Sequence, residues 1–193
     1  MQFGFRFLSH WPLWALHALG HAAGWLAWLL SPVYRRRFMD NARQAGLGLG
    51  QVAPAIGHAG AMSAELPRLW FGAPVPVQWA DDRAAVQAYA SGQGVLFLTP
   101  HLGCFEITAQ ALAQRFGAEH GNLTVLYRPA RQPALARVME NARNRPGLEA
   151  VPTTLAGVRQ MIKALRAGRA VGLLPDQVPP EGMGQWAPFF GKP

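Results

Sequence analysis

Hydrophobic positions follow two different patterns along this chain. From Phe7 to Val33 they form a nearly unbroken apolar run. Only Ser9, His10, His17, His21 and Ser31 interrupt it, and it contains no Asp, Glu, Lys or Arg. About 20 apolar residues suffice to cross the hydrocarbon core of a bilayer, so the run predicts a hydrophobic anchor helix within residues 1–33. Trp11, Trp14, Trp25 and Trp28 stud it. Pro12, Gly20, Gly24 and the two inner histidines depart from a clean span, and they keep an interfacial helix as the alternative to a crossing one. A secretory signal would have a shorter apolar core and a small-residue cleavage site, and neither is evident. Arg35, Arg36 and Arg37 follow the run, against Arg6 before it. For a crossing helix, that bias puts the carboxyl side in the cytoplasm.

After the run the pattern changes to short apolar stretches separated by helical ones. Residues 35–47 read as a basic helix ending at Gly48 and Gly50, and residues 52–70 as another with Pro67 near its end. Residues 72–79 read as extended. Asp81 or Asp82 is placed to cap a helix running to Ala90. Apolar runs of strand length occupy 94–99, 123–127 and 170–174. Between them, Leu155, Val158, Ile162 and Leu165 recur at helical spacing, with Thr153 or Thr154 as the cap and Gly168 as the stop. Strands alternating with helices predict an α/β fold with a mostly parallel sheet flanked by helices, forming one domain over residues 34–193 behind the anchor.

Composition narrows the partners. Eighteen Lys and Arg against ten Asp and Glu give a net charge of +8. Only Lys163 and Lys192 are lysines, so the charge is almost all arginine. Guanidinium groups grip phosphate in a bidentate fork, which suits anionic lipid or a phosphorylated ligand. Nucleic acid is not expected, because the aromatics crowd into the anchor instead of interleaving with the bases. The single cysteine, Cys104, excludes an internal disulfide and a multi-cysteine zinc site.

The chemistry gathers where the strands end. The first strand runs into Thr99-Pro100-His101-Leu102-Gly103-Cys104-Phe105-Glu106, with a histidine five residues before a glutamate. On one helix that spacing would leave the side chains about 140° apart. With His101 in the turn before a helix and Glu106 in its first turn, the turn would fold the imidazole back onto the carboxylate. A carboxylate on one ring nitrogen fixes the tautomer and leaves the other to take a proton. This is a base without a nucleophile, so the substrate must supply the hydroxyl or amine. The second strand runs through Tyr127 into Arg128-Pro129, and the third into Pro175-Asp176-Gln177. Ligands of open α/β sheets sit outside the carboxyl ends of the strands, so His101, Arg128 and Asp176 are expected to share one crevice. Gly103 is expected to leave backbone N–H groups open to an anion or oxyanion. Cys104, flanked by Leu, Gly and Phe, reads as a packing residue. His17 and His21, four apart and with no acid near them in sequence, read as lining one face of the anchor and not as metal ligands.

These residues resemble the bacterial lipid A late acyltransferases, within the wider H-x4-D/E glycerolipid acyltransferases. The resemblance takes in the apolar anchor, the Tyr34-Arg35-Arg36-Arg37 helix with Asn41, and the His101–Glu106 motif. It continues through Tyr127-Arg128-Pro129, Asn141-Ala142-Arg143-Asn144-Arg145 with Gly147, Pro175-Asp176-Gln177 and Pro188-Phe189-Phe190-Gly191. It implies transfer of a fatty acyl group from acyl carrier protein, or acyl-CoA, to a hydroxyl of a membrane glycolipid such as a lipid A precursor. The reaction would take place at the cytoplasmic face of the inner membrane, with no cofactor. His101 would act as the base and Glu106 would orient it. Arg128, Asp176, Tyr127 and Gly103 would line the substrate site. An alternative is an anchored protein that binds anionic lipid without catalysis. The chain departs from the family after Pro-Asp: residues 178–184 carry Glu181 and no base. Family members also continue beyond the point matching Pro193, so residues 34–193 are expected to be an incomplete catalytic domain.

Overall fold

The computed structural model describes residues 2–177 apart from 131 and 144, together with residues 182, 185, 187, 188, 190 and 191. Asn144 and Phe189 of the resemblance, and most of the departing stretch 178–184, lie outside the described residues. The fold is α/β, and two compact units can be distinguished. One comprises Met1–Arg6 with Leu69–Asp176, the other Phe7–Arg68 with Gln177–Pro193.

The second unit is helical. The apolar run is not one helix, because α1 covers Gln2–Leu8 and α2 covers Leu13–Leu30. Pro12 explains the break. It has no N–H to continue a ladder, and its extended backbone (φ −64°, ψ 143°) places it as the N-cap of α2. The basic helix α3 spans Pro32–Gln44 and starts on a Ser31 side chain that accepts from the Tyr34 N–H at 3.2 Å. Two helices replace the single one expected over 52–70: α4, Leu49–Ala64, and α5, Leu66–Phe71. Pro67 cannot donate to the carbonyl of Ser63, and the ladder restarts there. By length and composition α2 is a candidate membrane anchor, and most of its surface away from α4 is uncovered.

The other unit holds a four-stranded, fully parallel sheet in the order β1-β4-β2-β3. The strands are β1 (Val95–Leu98), β2 (Leu123–Tyr127), β3 (Leu148–Pro152) and β4 (Ala170–Leu173). They are linked by α7 (Glu106–His120), α8 (Pro133–Arg143) and α9 (Leu155–Arg166), and α6 (Arg83–Ala90) precedes them. Asp81, not Asp82, satisfies the start of α6, its carboxylate accepting from the Arg83 N–H at 2.9 Å. Val95, Leu112, Phe116, Leu123, Leu148 and Ala170 form the core with Tyr89. β3 was not foreseen from the sequence. It is an edge strand with Glu149 as its second residue and Pro152 at its end, which breaks its apolar pattern. The chain steps outward from β2 to β3 and returns to insert β4 between β1 and β2. This reversal puts the ends of β1 and β4 side by side.

Candidate active site

Strand register explains the first pairing. Leu98 of β1 lies opposite Leu173 of β4, and the Thr99 N–H donates to the Leu173 carbonyl at 3.0 Å. Three residues further along each chain come His101 and Asp176, so the offset that pairs the strands also pairs the site. Asp176 holds His101 twice. One carboxylate oxygen lies 2.6 Å from imidazole Nδ1, and the other accepts from the His101 backbone N–H at 2.7 Å. A carboxylate bonded to Nδ1 assigns the proton to that nitrogen and leaves the lone pair on Nε2. The Phe105 ring meets the imidazole edge-on at 4.7 Å and limits its rotation. The same bonds hold the Asp176 carboxyl below the ordinary aspartate pKa, the His101 side chain being the largest cause. Both side chains remain partly open, His101 at 29% and Asp176 at 39% exposure.

Glu106 lies elsewhere than expected. Its described partners are not the imidazole: one carboxylate oxygen accepts from Trp70 Nε1 at 3.1 Å and the other from the Arg143 guanidinium. The carboxylate found on His101 Nδ1 is Asp176, from the neighbouring strand, in the position expected of Glu106. The reason is geometric. Glu106 begins α7, where its side chain turns toward α8 and α5, while the parallel register brings Asp176 to the imidazole. Arg143, at the end of α8, packs its guanidinium 5.8 Å from the Trp70 ring and 5.5 Å from the Tyr127 ring. The Glu106 and Arg143 side chains are only 12% and 18% exposed, so this is a desolvated ion pair with aromatic walls.

Arg145 braces the wall. It donates to the carbonyls of Leu69, at 2.7 Å, and of Trp70, and to Gln110 Oε1 at 3.1 Å. Burial pulls its pKa below the ordinary arginine value. Gln110, itself buried, donates to the Leu69 carbonyl at 3.2 Å. Trp70, Gln110, Arg143 and Arg145 were not singled out as site residues from the sequence. The only signal was the Asn141–Arg145 segment of the resemblance.

The remaining expected site residues divide. Tyr127 joins the site through Arg143. Gly103 adopts φ +59°, a conformation that costs most side chains energy, in the turn that carries the chain from His101 to α7. Arg128 is exposed, and no ion pair or side-chain hydrogen bond involves it among the described residues. Cys104 is partly buried. No group of three or more His, Cys, Asp or Glu suited to a metal occurs among the described residues. His17 has an acid partner that its sequence neighbourhood did not suggest, because Nε2 lies 3.0 Å from Glu65, 48 positions away.

The parallel sheet thus ends in a histidine held through Nδ1 by an aspartate, at the edge where ligands of such sheets bind. Residues 68–193 match the bacterial lipid A biosynthesis acyltransferase family, and the chain belongs to that family. Its function is therefore of the lipid A acyltransferase type, with an acyl donor and a lipid acceptor. A search of curated proteins gave no match.

Proposed function

We propose that the chain transfers a fatty acyl group from acyl carrier protein, or from acyl-CoA, to a hydroxyl of a lipid A precursor at the cytoplasmic face of the inner membrane. His101 is the general base. With Nδ1–H donated to Asp176, Nε2 takes the proton of the acceptor hydroxyl as its oxygen attacks the thioester carbonyl. The tetrahedral intermediate collapses, the C–S bond breaks, and the departing thiolate takes the proton back from the imidazolium. An ester and a free thiol result, without an acyl-enzyme. Asp176 stabilises the imidazolium formed midway. Glu106, paired with Arg143, fixes the start of α7 and thereby the turn that carries His101. Arg128, exposed beside Tyr127, is the residue we assign to a phosphate of the acceptor, and the open backbone at Gly103 to the oxyanion.

The observation that most supports this reading is the double grip of Asp176 on His101 at the carboxyl ends of adjacent strands. It sets one tautomer and one ring orientation, which a base needs and a bystander histidine does not. The test is His101→Ala in the full chain, assayed by mass spectrometry of the acceptor lipid with acyl carrier protein and acyl-CoA donors in parallel. Loss of the added acyl group with the fold and membrane association retained is expected. Undiminished transfer by the variant would overturn the assignment, and the donor that supports turnover in the parent identifies the carrier.

A further inference from the structure

The candidate anchor does not stand alone. Helix α4 runs antiparallel along α2: His17 meets Glu65, Gly20 meets Ala61, and Gly24 meets Ile56. The backbones touch. A Cβ at Gly20 would lie 2.6 Å from Ala61 Cα, one at Gly24 would lie 2.4 Å from the Ile56 carbonyl oxygen, and one at Gly60 would lie 2.0 Å from the Gly20 carbonyl oxygen. Small residues four apart, as Gly20 and Gly24 are, allow this approach of apolar helices. Any membrane that receives α2 therefore receives α4 with it, and α4 contains no charged residue.

The two outer faces differ. The uncovered side of α2 carries Trp14, Leu19, Trp25, Leu26, Leu29 and Leu30. The uncovered side of α4 carries Gln51, Ala55, His58, Ala59 and Ser63. A pair crossing the bilayer turns both faces to lipid, which would set the side chains of Gln51, His58 and Ser63 against hydrocarbon, a costly place for polar groups. A pair lying in the plane of the membrane buries only the face of α2. Charge completes the case. Arg35 stacks on the Trp28 ring at 5.5 Å and donates to the Leu29 carbonyl at 3.2 Å, at the end of α2. Arg36 and Arg37 beside it are exposed, and among the described residues neither has an acid partner.

We propose that α2 and α4 form a one-leaflet anchor. The outer face of α2 lies among the acyl chains, Arg36 and Arg37 lie at anionic headgroup phosphates of the same leaflet, and neither helix crosses. This rests on the membrane association in the proposed function, and it replaces the crossing geometry that the apolar run alone suggests. It is tested in the full chain carrying Cys104→Ser, with single cysteines introduced by Leu47→Cys, just before α4, or Ser63→Cys, near its end. A membrane-impermeant maleimide is applied to right-side-out and inverted inner-membrane vesicles. Labelling of both positions from the same side is expected. Labelling from opposite sides, or of neither position before detergent is added, overturns the one-leaflet anchor while leaving membrane association intact. A protein that fails to sediment with the vesicles instead overturns the membrane reading itself. Binding to vesicles of phosphatidylglycerol and phosphatidylcholine supplies the second arm. The double substitution Arg36→Gln, Arg37→Gln is expected to weaken binding to the anionic vesicles by about fivefold per arginine and to spare binding to the neutral ones. Unchanged anionic binding overturns the headgroup contact.

Discussion

His101 with Asp176 and His17 with Glu65 are histidine–carboxylate pairs of nearly the same chemistry. His101 and Asp176 lie 2.6 Å apart, His17 and Glu65 3.0 Å apart. What differs is how each imidazole is held. Asp176 takes the ring N–H and the backbone N–H of the same histidine, in the loops where two parallel strands end. Glu65 takes only Nε2 of His17, on the packed face of a helix whose neighbouring contacts are glycines. The first arrangement fixes a ring relative to a sheet edge, where substrates of α/β folds bind. The second ties two helices together. Distance alone does not separate a base from a clamp, whereas the architecture around each pair does.

The largest expected effect breaks that comparison directly. His101→Ala should lower acyl transfer by about 10²–10⁴-fold, the usual worth of a positioned base. His17→Ala should leave turnover per folded molecule within about threefold and lower only thermal stability, by the ~1 kcal/mol typical of one hydrogen bond. The rate of thiol release from the donor and a thermal melt of each variant measure both. Equal losses of turnover in the two variants would remove the distinction between base and clamp.

Next in size is the pair between Glu106 and Arg143. Removing one member of a desolvated ion pair leaves an unpaired charge and costs about 3–5 kcal/mol. Arg143→Met should therefore destabilise the chain by that order in urea denaturation, and Glu106→Gln by less, since an amide still accepts from Trp70 Nε1. If Glu106 served the imidazole in place of α7, Glu106→Gln would cut turnover at unchanged stability.

Much of this arrangement was legible in the sequence, for identifiable reasons. The strand-length runs at 94–99, 123–127 and 170–174 became β1, β2 and β4, because each is a short, almost wholly apolar run bounded by turn residues, the edge strand β1 included. β3 stayed hidden because an edge strand tolerates Glu149 and Pro152. The meeting of His101 and Asp176 was legible as a shared crevice but not as a contact, since it depends on which strand pairs with β1. Local chain order suggested Glu106 for the imidazole, and the insertion of β4 beside β1 supplied Asp176 instead. Trp70 and Arg145 could not be found locally either: their contacts join positions 75 apart. In the helical unit, composition revealed an apolar helix, but the glycine-lined partner that changes its meaning came from packing.

That packing supplies a smaller test. Gly60→Ala puts a methyl group against the Gly20 carbonyl, with backbone on both sides and no flexible side chain to yield. Overpacking of this kind costs about 1–3 kcal/mol. The expected result is a lower melting temperature in detergent, with His101 turnover per folded molecule unchanged. Gly4→Ala, where an added Cβ meets nothing within 4 Å, serves as the control and should be nearly silent. A melting temperature for Gly60→Ala equal to that of the parent would contradict the close approach of α2 and α4.

The smallest effect is the pH dependence of the Asp176 grip on His101. The Asp176 carboxyl is held below its ordinary pKa chiefly by the His101 side chain and then by the His101 backbone N–H. A group whose folded pKa is depressed contributes fully above its unfolded value, about 3.9 for aspartate. That contribution declines as the pH falls below the unfolded value and is lost once the pH has passed through the folded one. The grip on the imidazole is therefore expected to persist unchanged from neutral pH to about 4 and to weaken only below it. The downfield Nδ1–H proton resonance of His101, absent in His101→Ala, reports the bond directly. It should persist down to that limit and be lost below it. In Asp176→Asn, which cannot titrate, the acid-side transition should vanish. Loss of the resonance already well above that limit would overturn the assignment of the acid limit to Asp176.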